Sequence, residues 1–316
     1  MTTSLHWHQR VGSQRDWVWR GWQTRYTYIR ASLPDAQLTT PVLLLHGFGA
    51  SIGHWRHNLP SLGQYHTVYA LDMLGFGASQ KALANYNIHL WVEQVYDFWK
   101  TFIQQPVVLV GNSIGSLVCL AAVGSHPEMV KGIATIGLPD MSAREDAIPG
   151  WLRPGVATLE NIFASPLILK SLFYLVRRPS IVRKWAALAY ANPGAITDEL
   201  VDILTGPATD RGAAAAFYGI LKAMIGADFA PNITTLLPKL EIPMLLIWGR
   251  QDRMIPPSLY DRFIDINPNL RLVAVENAGH CPHDECPEQV NQILLDWLNS
   301  LVSEKPLQQN LPTAVQ

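Results

Sequence analysis

Ser113 is the residue whose surroundings point most directly to chemistry. It lies in the sequence Gly-Asn-Ser-Ile-Gly at 111–115, between the apolar runs 107–110 and 114–123. A strand that turns sharply into a helix presents such a serine at the edge of a sheet, where its hydroxyl can attack an ester carbonyl. The free N–H groups at the start of the helix would stabilise the anion that forms. An ordinary small-residue turn is the alternative, and the neighbouring motifs decide between the two.

A glycine-rich motif, His46-Gly47-Phe48-Gly49, follows the apolar run 42–45. In hydrolases built around such a serine, a loop after an earlier strand supplies the second donor of the oxyanion hole. We therefore assign the backbone N–H groups of Phe48 and Ile114 as the two donors. The alternative is that His46-Gly47 forms only a tight turn.

An acid and a histidine follow the serine in the chain order expected of such hydrolases. Asp252 comes after the apolar run 242–248, and His280 comes after the run 271–275. Asp252 would orient the imidazole of His280, which would take the proton from Ser113 and pass it to the leaving alcohol. Asp140, after the run 133–136, is the rival candidate for the acid.

The segment His280–Cys286 contains several residue types that bind metals. Zinc sites need suitably spaced ligands, and the kinks at Pro282 and Pro287 do not give the usual spacings. We predict no metal and no cofactor, and we expect His283 on the surface or outside the immediate site. No partner pattern is evident for the remaining histidines, which are His6, His8, His54, His57, His66, His89 and His126.

Composition excludes several classes of protein. With 316 residues, 48% apolar and 16% charged, the chain can bury one large core or a core with an inserted subdomain. A net charge of −1 argues against nucleic-acid binding. Three cysteines without framework spacing predict a reducing compartment and no structural disulfide. Residues 1–20 contain no apolar signal region, so we expect an intracellular protein.

The elements around these motifs predict an α/β-hydrolase fold, with a mostly parallel central sheet flanked by helices. Residues 16–30 alternate aromatic and polar side chains and predict a hairpin that turns at Gly21. Continuous apolar runs predict buried strands at 42–45, 67–71, 107–110, 132–136, 244–248 and 272–275. An apolar stripe of period 3.6 over 88–103 predicts a helix that packs on the sheet. The core would comprise residues 1–137 and 241–303.

Residues 138–240 carry helical patterns without a strand-like run and predict a helical cap inserted over Ser113. Within it, the segment 166–176 is almost entirely apolar and is followed by basic residues around Trp185. This segment is too short to span a bilayer. It is either a cap helix packed on the core or a helix at a membrane interface. The polar residues 304–316 are expected to be a disordered tail.

The chain resembles the chlorophyll dephytylases and the related pheophytinases of photosynthetic organisms, from about residue 17 to 301. The motifs around the serine and the histidine are shared with many hydrolases, whereas the cap signature and the His-Cys-Pro sequence are more selective. The matching stretches are 46–51 with 54–56, Asp72 with 74–79, 111–117, Gly206-Pro207 with Gly212-Ala213, Trp248-Gly249 with Asp252, and 279–282. His46 and Ser116 depart from the pheophytinase pattern, so the dephytylases are the nearer group.

The resemblance implies hydrolysis of the phytyl ester of chlorophyll or pheophytin to chlorophyllide or pheophorbide and phytol. It implies a hydrophobic ester as the partner and no cofactor, since the magnesium of chlorophyll belongs to the substrate. A cytoplasmic location, or peripheral contact with the thylakoid membrane through the cap, follows from it. A cyanobacterial source would agree with the lack of a transit peptide.

Three other functions remain open from the sequence. A carboxylesterase or lipase for another hydrophobic ester would use the same Ser113, Asp252 and His280. A serine-dependent hydrolase of C–C bonds would share them too. A non-catalytic pigment-binding protein on the same scaffold would not need all three residues. Epoxide hydrolases and dehalogenases use a carboxylate nucleophile, and Ser113 occupies that position.

Overall fold

Eight strands form one sheet in the computed structural model, which describes residues 6–33, 39–141, 166–226 and 228–302. The strands are β1 (Arg15–Trp19), β2 (Trp22–Ile29), β3 (Val42–Leu45), β4 (Val68–Leu71), β5 (Val107–Asn112), β6 (Val130–Ile136), β7 (Met244–Gly249) and β8 (Leu270–Val275). Their order across the sheet is β1-β2-β4-β3-β5-β6-β7-β8. The β1/β2 and β2/β4 pairs are antiparallel and the other pairs are parallel, which confirms the predicted mostly parallel sheet.

Helices connect the strands. Among the described residues the longer helices are α1 (Ile88–Phe98), α2 (Ile114–Ser125), α3 (Pro166–Val176), α4 (Pro179–Ala189), α5 (Asp198–Thr205), α6 (Ala213–Ile225), α7 (Ser258–Ile266) and α8 (Pro287–Val302). Short α-helices span Trp7–Arg10, Leu59–Leu62, Ile233–Leu236 and Pro282–Glu285. Short 3₁₀-helices span Ile52–Trp55, Pro127–Met129, Pro193–Ala195, Gly206–Thr209 and Leu237–Lys239. A π-helical turn, Trp99–Ile103, extends α1.

The predicted hairpin is confirmed at β1 and β2. Arg20 and Gly21 form its two-residue turn, with φ values of 49° and 85°. Two central residues of positive φ are typical of the turns whose twist matches that of a strand pair. Trp19 and Trp22 are therefore direct partners on either side of the turn.

The strands of the parallel part are apolar throughout because both of their faces are covered. In β3, Leu43 and Leu45 pack in the layer that contains Trp91 of α1, whereas Val42 and Leu44 pack in the layer on the other side of the sheet. Alternate residues of a strand point to opposite faces, so a strand with helices on both sides has no polar positions. The apolar runs of the sequence thereby correspond to the centre of the sheet.

The carboxyl ends of the parallel strands meet at one edge of the sheet. Leu45 of β3 pairs with Gly111 of β5, Asn112 pairs with Ile136 of β6, and Ile136 in turn pairs with Ile247 of β7. The loops after these strands therefore start at similar heights. In open α/β sheets such an edge is where ligands bind.

Only helices occur among the described residues between β6 and β7. These are α3 to α6 and the short helices Pro193–Ala195, Gly206–Thr209, Ile233–Leu236 and Leu237–Lys239. The ring of Phe173 in α3 packs 5.0 Å from that of Phe217 in α6. The division of the chain into a core and a cap at 138–240 stays a prediction. Residues 142–165 of this cap and the predicted tail 304–316 lie outside the described residues. No helix in the described parts of the chain is long and apolar enough to cross a bilayer.

Candidate active site

Ser113 lies at the tight turn between β5 and α2, as predicted. Its backbone has φ 54° and ψ −116°, a conformation that a non-glycine residue adopts only where its surroundings impose it. The Ser113 N–H donates to the carbonyl oxygen of Ile136, 2.9 Å away. A Cβ atom at Gly115 would lie 2.2 Å from the carbonyl oxygen of Leu45, so the first turn of α2 can approach β3 only without a side chain. These contacts hold the serine at the sheet edge.

His280 and Asp252 are hydrogen-bonded to each other at the same edge. The Nδ1 atom of His280 lies 2.8 Å from Oδ2 of Asp252, and both side chains are almost fully buried. The other carboxylate oxygen, Oδ1, accepts hydrogen bonds from the N–H groups of Met254 at 2.8 Å and Ile255 at 2.9 Å. The carboxylate is therefore fixed in orientation. With Nδ1–H donating to Asp252, Nε2 of the ring is left as the proton acceptor.

The loop that carries His280 contacts the serine turn through its backbone. Asn112, which precedes Ser113, donates from Nδ2 to the His280 carbonyl oxygen at 3.2 Å, and the His280 N–H donates to the carbonyl oxygen of Ala189 at 2.6 Å. No hydrogen bond joins Ser113 Oγ to His280 among the described residues. Hydrogen bonds between catalytic groups are often long in ligand-free sites and shorten when substrate binds.

Asp140, the rival acid, faces a different side chain. Its Oδ2 atom lies 3.4 Å from Nη1 of Arg262. The carboxylate that is bonded to His280 is that of Asp252. The geometry therefore favours Asp252 as the partner of the histidine.

The loop at 46–49 passes close to the serine turn. A Cβ atom at Gly47 would lie 2.8 Å from Oδ1 of Asn112 and 3.3 Å from Cβ of Ser113. The His46 ring anchors this loop: Nε2 accepts from the N–H of Met73 at 3.1 Å, and Nδ1 donates to the carbonyl oxygen of Gly47 at 2.8 Å. Burial lowers the pKa of His46 to about 4, so the ring is neutral at physiological pH. The loop at 46–49 thus lies beside Ser113. That the N–H groups of Phe48 and Ile114 are the oxyanion donors stays a prediction.

A buried polar cluster behind His280 was missed by the sequence analysis. Nε2 of His54 lies 2.9 Å from the hydroxyl oxygen of Tyr190, and this hydroxyl donates to Oδ2 of Asp284 at 2.7 Å. Arg56 forms an ion pair with the same carboxylate at 2.6 Å, and Nε2 of His283 lies 3.3 Å from Nδ1 of His54. Burial lowers the pKa of His54 to about 4 and that of His283 well below its ordinary value.

Of the two alternatives for His283, the surface position is wrong: the side chain is fully buried, and it contacts His54 rather than Asp252 or Ser113. His54, for which the sequence showed no partner pattern, has buried partners. Tyr190, the last partner, lies 136 residues from His54 along the chain. Such a separation leaves no local pattern in a single sequence from which the cluster could have been found.

An apolar cleft begins at the loop beside Ser113 and runs under the helices α3 and α6. Its empty volume is about 660 Å³, which includes space open to solvent. The lining residues are Phe48, Gly49, Ala50, Gly75, Phe76, Gly77, Lys81, Phe173, Val176, Arg177, Leu204, Pro207, Ala208, Ala213, Phe217 and Ile220. In the described parts of the chain, no group of three or more His, Cys, Asp or Glu side chains is arranged to hold a metal ion.

Comparison with known proteins identifies the family. The profile described as the alpha/beta hydrolase fold matches residues 40–287. Chloroplastic pheophytinase of Arabidopsis thaliana is 26% identical over 312 residues, which cover 83% of this chain and 62% of the relative. A 2-hydroxymuconate semialdehyde hydrolase of Pseudomonas sp. (strain CF600) is 35% identical over 280 residues, which cover 85% of this chain and 90% of the relative.

The crystal structure of a membrane phospholipase A, described as a bacterial virulence factor, superimposes with a TM-score of 0.74 at 25% identity. The match covers 94% of this chain and 89% of the phospholipase chain. The chain spans less than two thirds of the length of the pheophytinase, so that protein's activity does not transfer by similarity alone. Because the family profile matches well over half of the sequence, this chain belongs to the α/β-hydrolase fold family.

Proposed function

We propose that this protein is a serine hydrolase of hydrophobic carboxylic esters and that its substrate is the phytyl ester of a chlorophyll-type pigment. The observation that carries the proposal is the 2.8 Å hydrogen bond between Asp252 and His280 at the sheet edge that also holds the strained Ser113. Nucleophile, base and orienting acid are the three roles that acyl transfer requires.

The proposed reaction proceeds through an acyl-enzyme. Ser113 Oγ attacks the ester carbonyl carbon while His280 Nε2 takes the hydroxyl proton, and the oxyanion accepts hydrogen bonds from the N–H groups of Phe48 and Ile114. Collapse of the tetrahedral intermediate breaks the ester bond, and His280 gives its proton to the leaving alcohol. Water then attacks the acyl-enzyme with the same histidine as base, which releases the acid and restores Ser113. The proposed mechanism uses no cofactor.

The choice of a phytyl ester rests on the cleft and on the resemblance. The cleft is lined largely by apolar side chains, and burial of a hydrocarbon chain contributes about 0.8 kcal/mol for each CH₂ group. The motifs shared with dephytylases and the similarity to a chloroplastic pheophytinase support the pigment. Phytylated pigments dissolve in membranes, so this substrate also implies peripheral contact with a thylakoid-type membrane.

A hydrolase of C–C bonds is the second candidate, since the 2-hydroxymuconate semialdehyde hydrolase is the more identical relative at 35%. A substrate of that kind carries a carboxylate and needs a cation in the cleft. The ammonium group of Lys81 already donates to the carbonyl oxygens of Gly77 and Ser79 and to the carboxylate of Asp210. Three bonds use all of its donors. Arg177 also lines the cleft, where its Nη1 donates to the carbonyl oxygen of Ala208 at 3.1 Å, so the choice of the uncharged ester rests on the largely apolar lining of the cleft.

The test compares wild type, Ser113→Ala and the matched control Ser125→Ala, which changes an exposed serine at the end of α2. Each is incubated with detergent-solubilised chlorophyll, pheophytin, a short-chain nitrophenyl ester and 2-hydroxymuconate semialdehyde. We expect chlorophyllide or pheophorbide and phytol from wild type and the control, and no product from Ser113→Ala. Cleavage of the small ester with both pigments untouched would remove the pigment proposal. Cleavage of the semialdehyde alone would replace it with the second candidate.

A further inference from the structure

The helix α3 separates the cleft from the outside of the protein and carries large apolar side chains both in the cleft and on its exposed side. Phe173 and Val176 line the cleft, and Phe173 is buried. Leu172, Tyr174 and Leu175 are exposed, with 38%, 54% and 46% of their surfaces open to solvent. A helix on the surface of a soluble domain normally has mainly polar residues on its outer side. On α3 the exposed Ser171 is accompanied by these three large apolar side chains.

The next helix, α4, also has exposed apolar side chains. Trp185 is 61% exposed and Leu188 is 42% exposed, whereas Ala186 between them is buried. Residues three apart on a helix are neighbours on its surface, so the tryptophan and the leucine form one patch. Of the twelve large apolar side chains that are exposed among the described residues, five lie between 172 and 188. We call these five residues, Leu172, Tyr174, Leu175, Trp185 and Leu188, the outer patch.

The segment that carries the outer patch has a positive charge, although the whole chain has a net charge of −1. Its basic residues are Lys170, Arg177, Arg178, Arg183 and Lys184, and residues 166–189 contain no Asp or Glu. Arg183 is paired with Asp198 of α5. Arg178 and Lys184 are exposed, and no acidic side chain in the described parts of the chain forms an ion pair with either of them. Two unpaired cations thus lie beside the outer patch.

We propose that the outer patch and the cations Arg178 and Lys184 form a docking surface for an anionic lipid bilayer. Exposed tryptophan, tyrosine and leucine side chains insert at the boundary between headgroups and acyl chains, and adjacent basic residues bind anionic headgroups. Each 11-residue helix is too short to cross a bilayer of about 30 Å, so the contact is peripheral. A soluble protein partner would not require exposed apolar side chains and unpaired cations beside a helix, α3, that also forms the cleft wall.

The docking surface would let an ester dissolved in the membrane reach the cleft. This route for the substrate rests on the proposed function. The same helix that would contact the lipid on its outer face lines the cleft with Phe173 and Val176 on its inner face. An ester with a long hydrocarbon chain could then enter the cleft from the bilayer without crossing water. Docking itself requires neither Ser113 nor hydrolysis.

The test is flotation of the full chain with lipid vesicles. One set of vesicles contains only phosphatidylcholine, and a second contains phosphatidylcholine with phosphatidylglycerol. We expect wild type and Ser113→Ala to float with the anionic vesicles and to be released by high salt. The double variant Leu175→Ser/Trp185→Ser should lose at least tenfold in vesicle affinity. The double variant Arg178→Gln/Lys184→Gln should lose at least tenfold on anionic vesicles, since each cation near such a surface is worth about fivefold.

Matched control variants change similar residues elsewhere on the surface. Val18→Ser alters a side chain that is 68% exposed on β1, and Arg271→Gln alters an exposed cation on β8. Both should bind vesicles like wild type. The two double variants and the two controls should keep the wild-type rate on a short soluble ester, because none of their changed residues lines the cleft.

Equal binding of all variants would overturn the docking surface, as would the absence of flotation with wild type. A dimer of wild type that the Leu175→Ser/Trp185→Ser variant abolishes would assign the patch to a second copy of the chain instead. Failure of pigment hydrolysis with normal vesicle binding would contradict the proposed function and leave the docking surface standing.

Discussion

Replacement of Asp252 by asparagine should disable the enzyme through the tautomer of His280. Both oxygens of the Asp252 carboxylate have hydrogen-bond partners. Oδ2 accepts from Nδ1–H of His280, and Oδ1 accepts from the N–H groups of Met254 and Ile255. An asparagine can satisfy these two backbone donors only with its carbonyl oxygen. Its NH₂ group must then face His280, where it can only donate.

A donor opposite Nδ1 forces the ring proton of His280 onto Nε2. The nitrogen that should accept the hydroxyl proton of Ser113 is then already protonated. In serine proteases the corresponding change lowers kcat by about 10⁴-fold, which is about 5 kcal/mol of transition-state stabilisation. We expect a similar loss in kcat with little change in KM, because Asp252 does not touch the substrate. Folding should be almost unaffected, since both backbone hydrogen bonds are kept.

The assay is steady-state hydrolysis of a short-chain nitrophenyl ester, with thermal unfolding of each variant as the control for folding. Asp140→Asn is the matched variant, because Asp140 is also a largely buried carboxylate that follows a central strand. Its Oδ2 atom lies 3.4 Å from Nη1 of Arg262, and the side chain of this arginine is 44% exposed. Such a partly exposed ion pair contributes little, so we expect Asp140→Asn to hydrolyse the ester at a rate close to that of wild type. A large loss in Asp140→Asn together with a small one in Asp252→Asn would refute the assignment of the acid and the argument from the tautomer.

Two further predictions concern stability. Burial lowers the pKa of both His46 and His54 to about 4, so between pH 6.5 and 4 the unfolded chain binds protons that the folded protein does not. From pH 7 to pH 5 the free energy of unfolding therefore falls by about 2 kcal/mol for each ring. Burial raises the pKa of Asp72 to about 6, and protonation of this carboxyl in the folded protein offsets about 1 kcal/mol of that loss. Equal urea midpoints at the two pH values would contradict the prediction. Tyr190→Phe removes the hydroxyl between His54 and Asp284 and leaves buried polar atoms without a partner, at a cost of about 1–3 kcal/mol. Thermal unfolding measures this loss, and the exposed Tyr174→Phe should show none.

The strands could be predicted from the sequence because the sheet is covered on both faces. The run 42–45 matches β3 at both ends, and the runs for the other buried strands fall within one or two residues of the observed bounds. The largest errors lie where a strand contains residues that do not look buried. β8 begins at Leu270 rather than Leu272, because the exposed Arg271 interrupts the apolar run although its backbone still pairs with Leu245.

The helix that precedes β5 shows a different limit. The apolar stripe predicts one helix over 88–103, and α1 ends at Phe98 before a π-helical turn carries the chain to Ile103. Both conformations keep apolar residues on the side that faces the sheet, so periodicity alone does not distinguish them. Gln104, with φ 58°, then ends the turn.

In the candidate site, too, one part could be predicted from the sequence and another part could not. The pairing of Asp252 with His280 followed from chain order, because neighbouring parallel strands bring the loops after β7 and β8 together. The cluster around Tyr190 had no such signal, since its members come from the end of α4, from the loop after β3 and from the segment after His280. Side chains that meet only through tertiary packing leave no spacing in the sequence.

The position of the His280 ring depends on the space at the end of β6. Gly137, with φ 58°, ends this strand, and a Cβ atom there would lie 2.9 Å from Nδ1 of His280. The imidazole therefore lies against the backbone directly after β6. β7 also ends at a glycine, Gly249, where a Cβ atom would lie 2.0 Å from the carbonyl oxygen of Gly279, and the loop after β7 carries Asp252 to Nδ1 of the His280 ring. A side chain at Gly137 would displace His280 from Asp252, so the glycine and the acid belong to one arrangement.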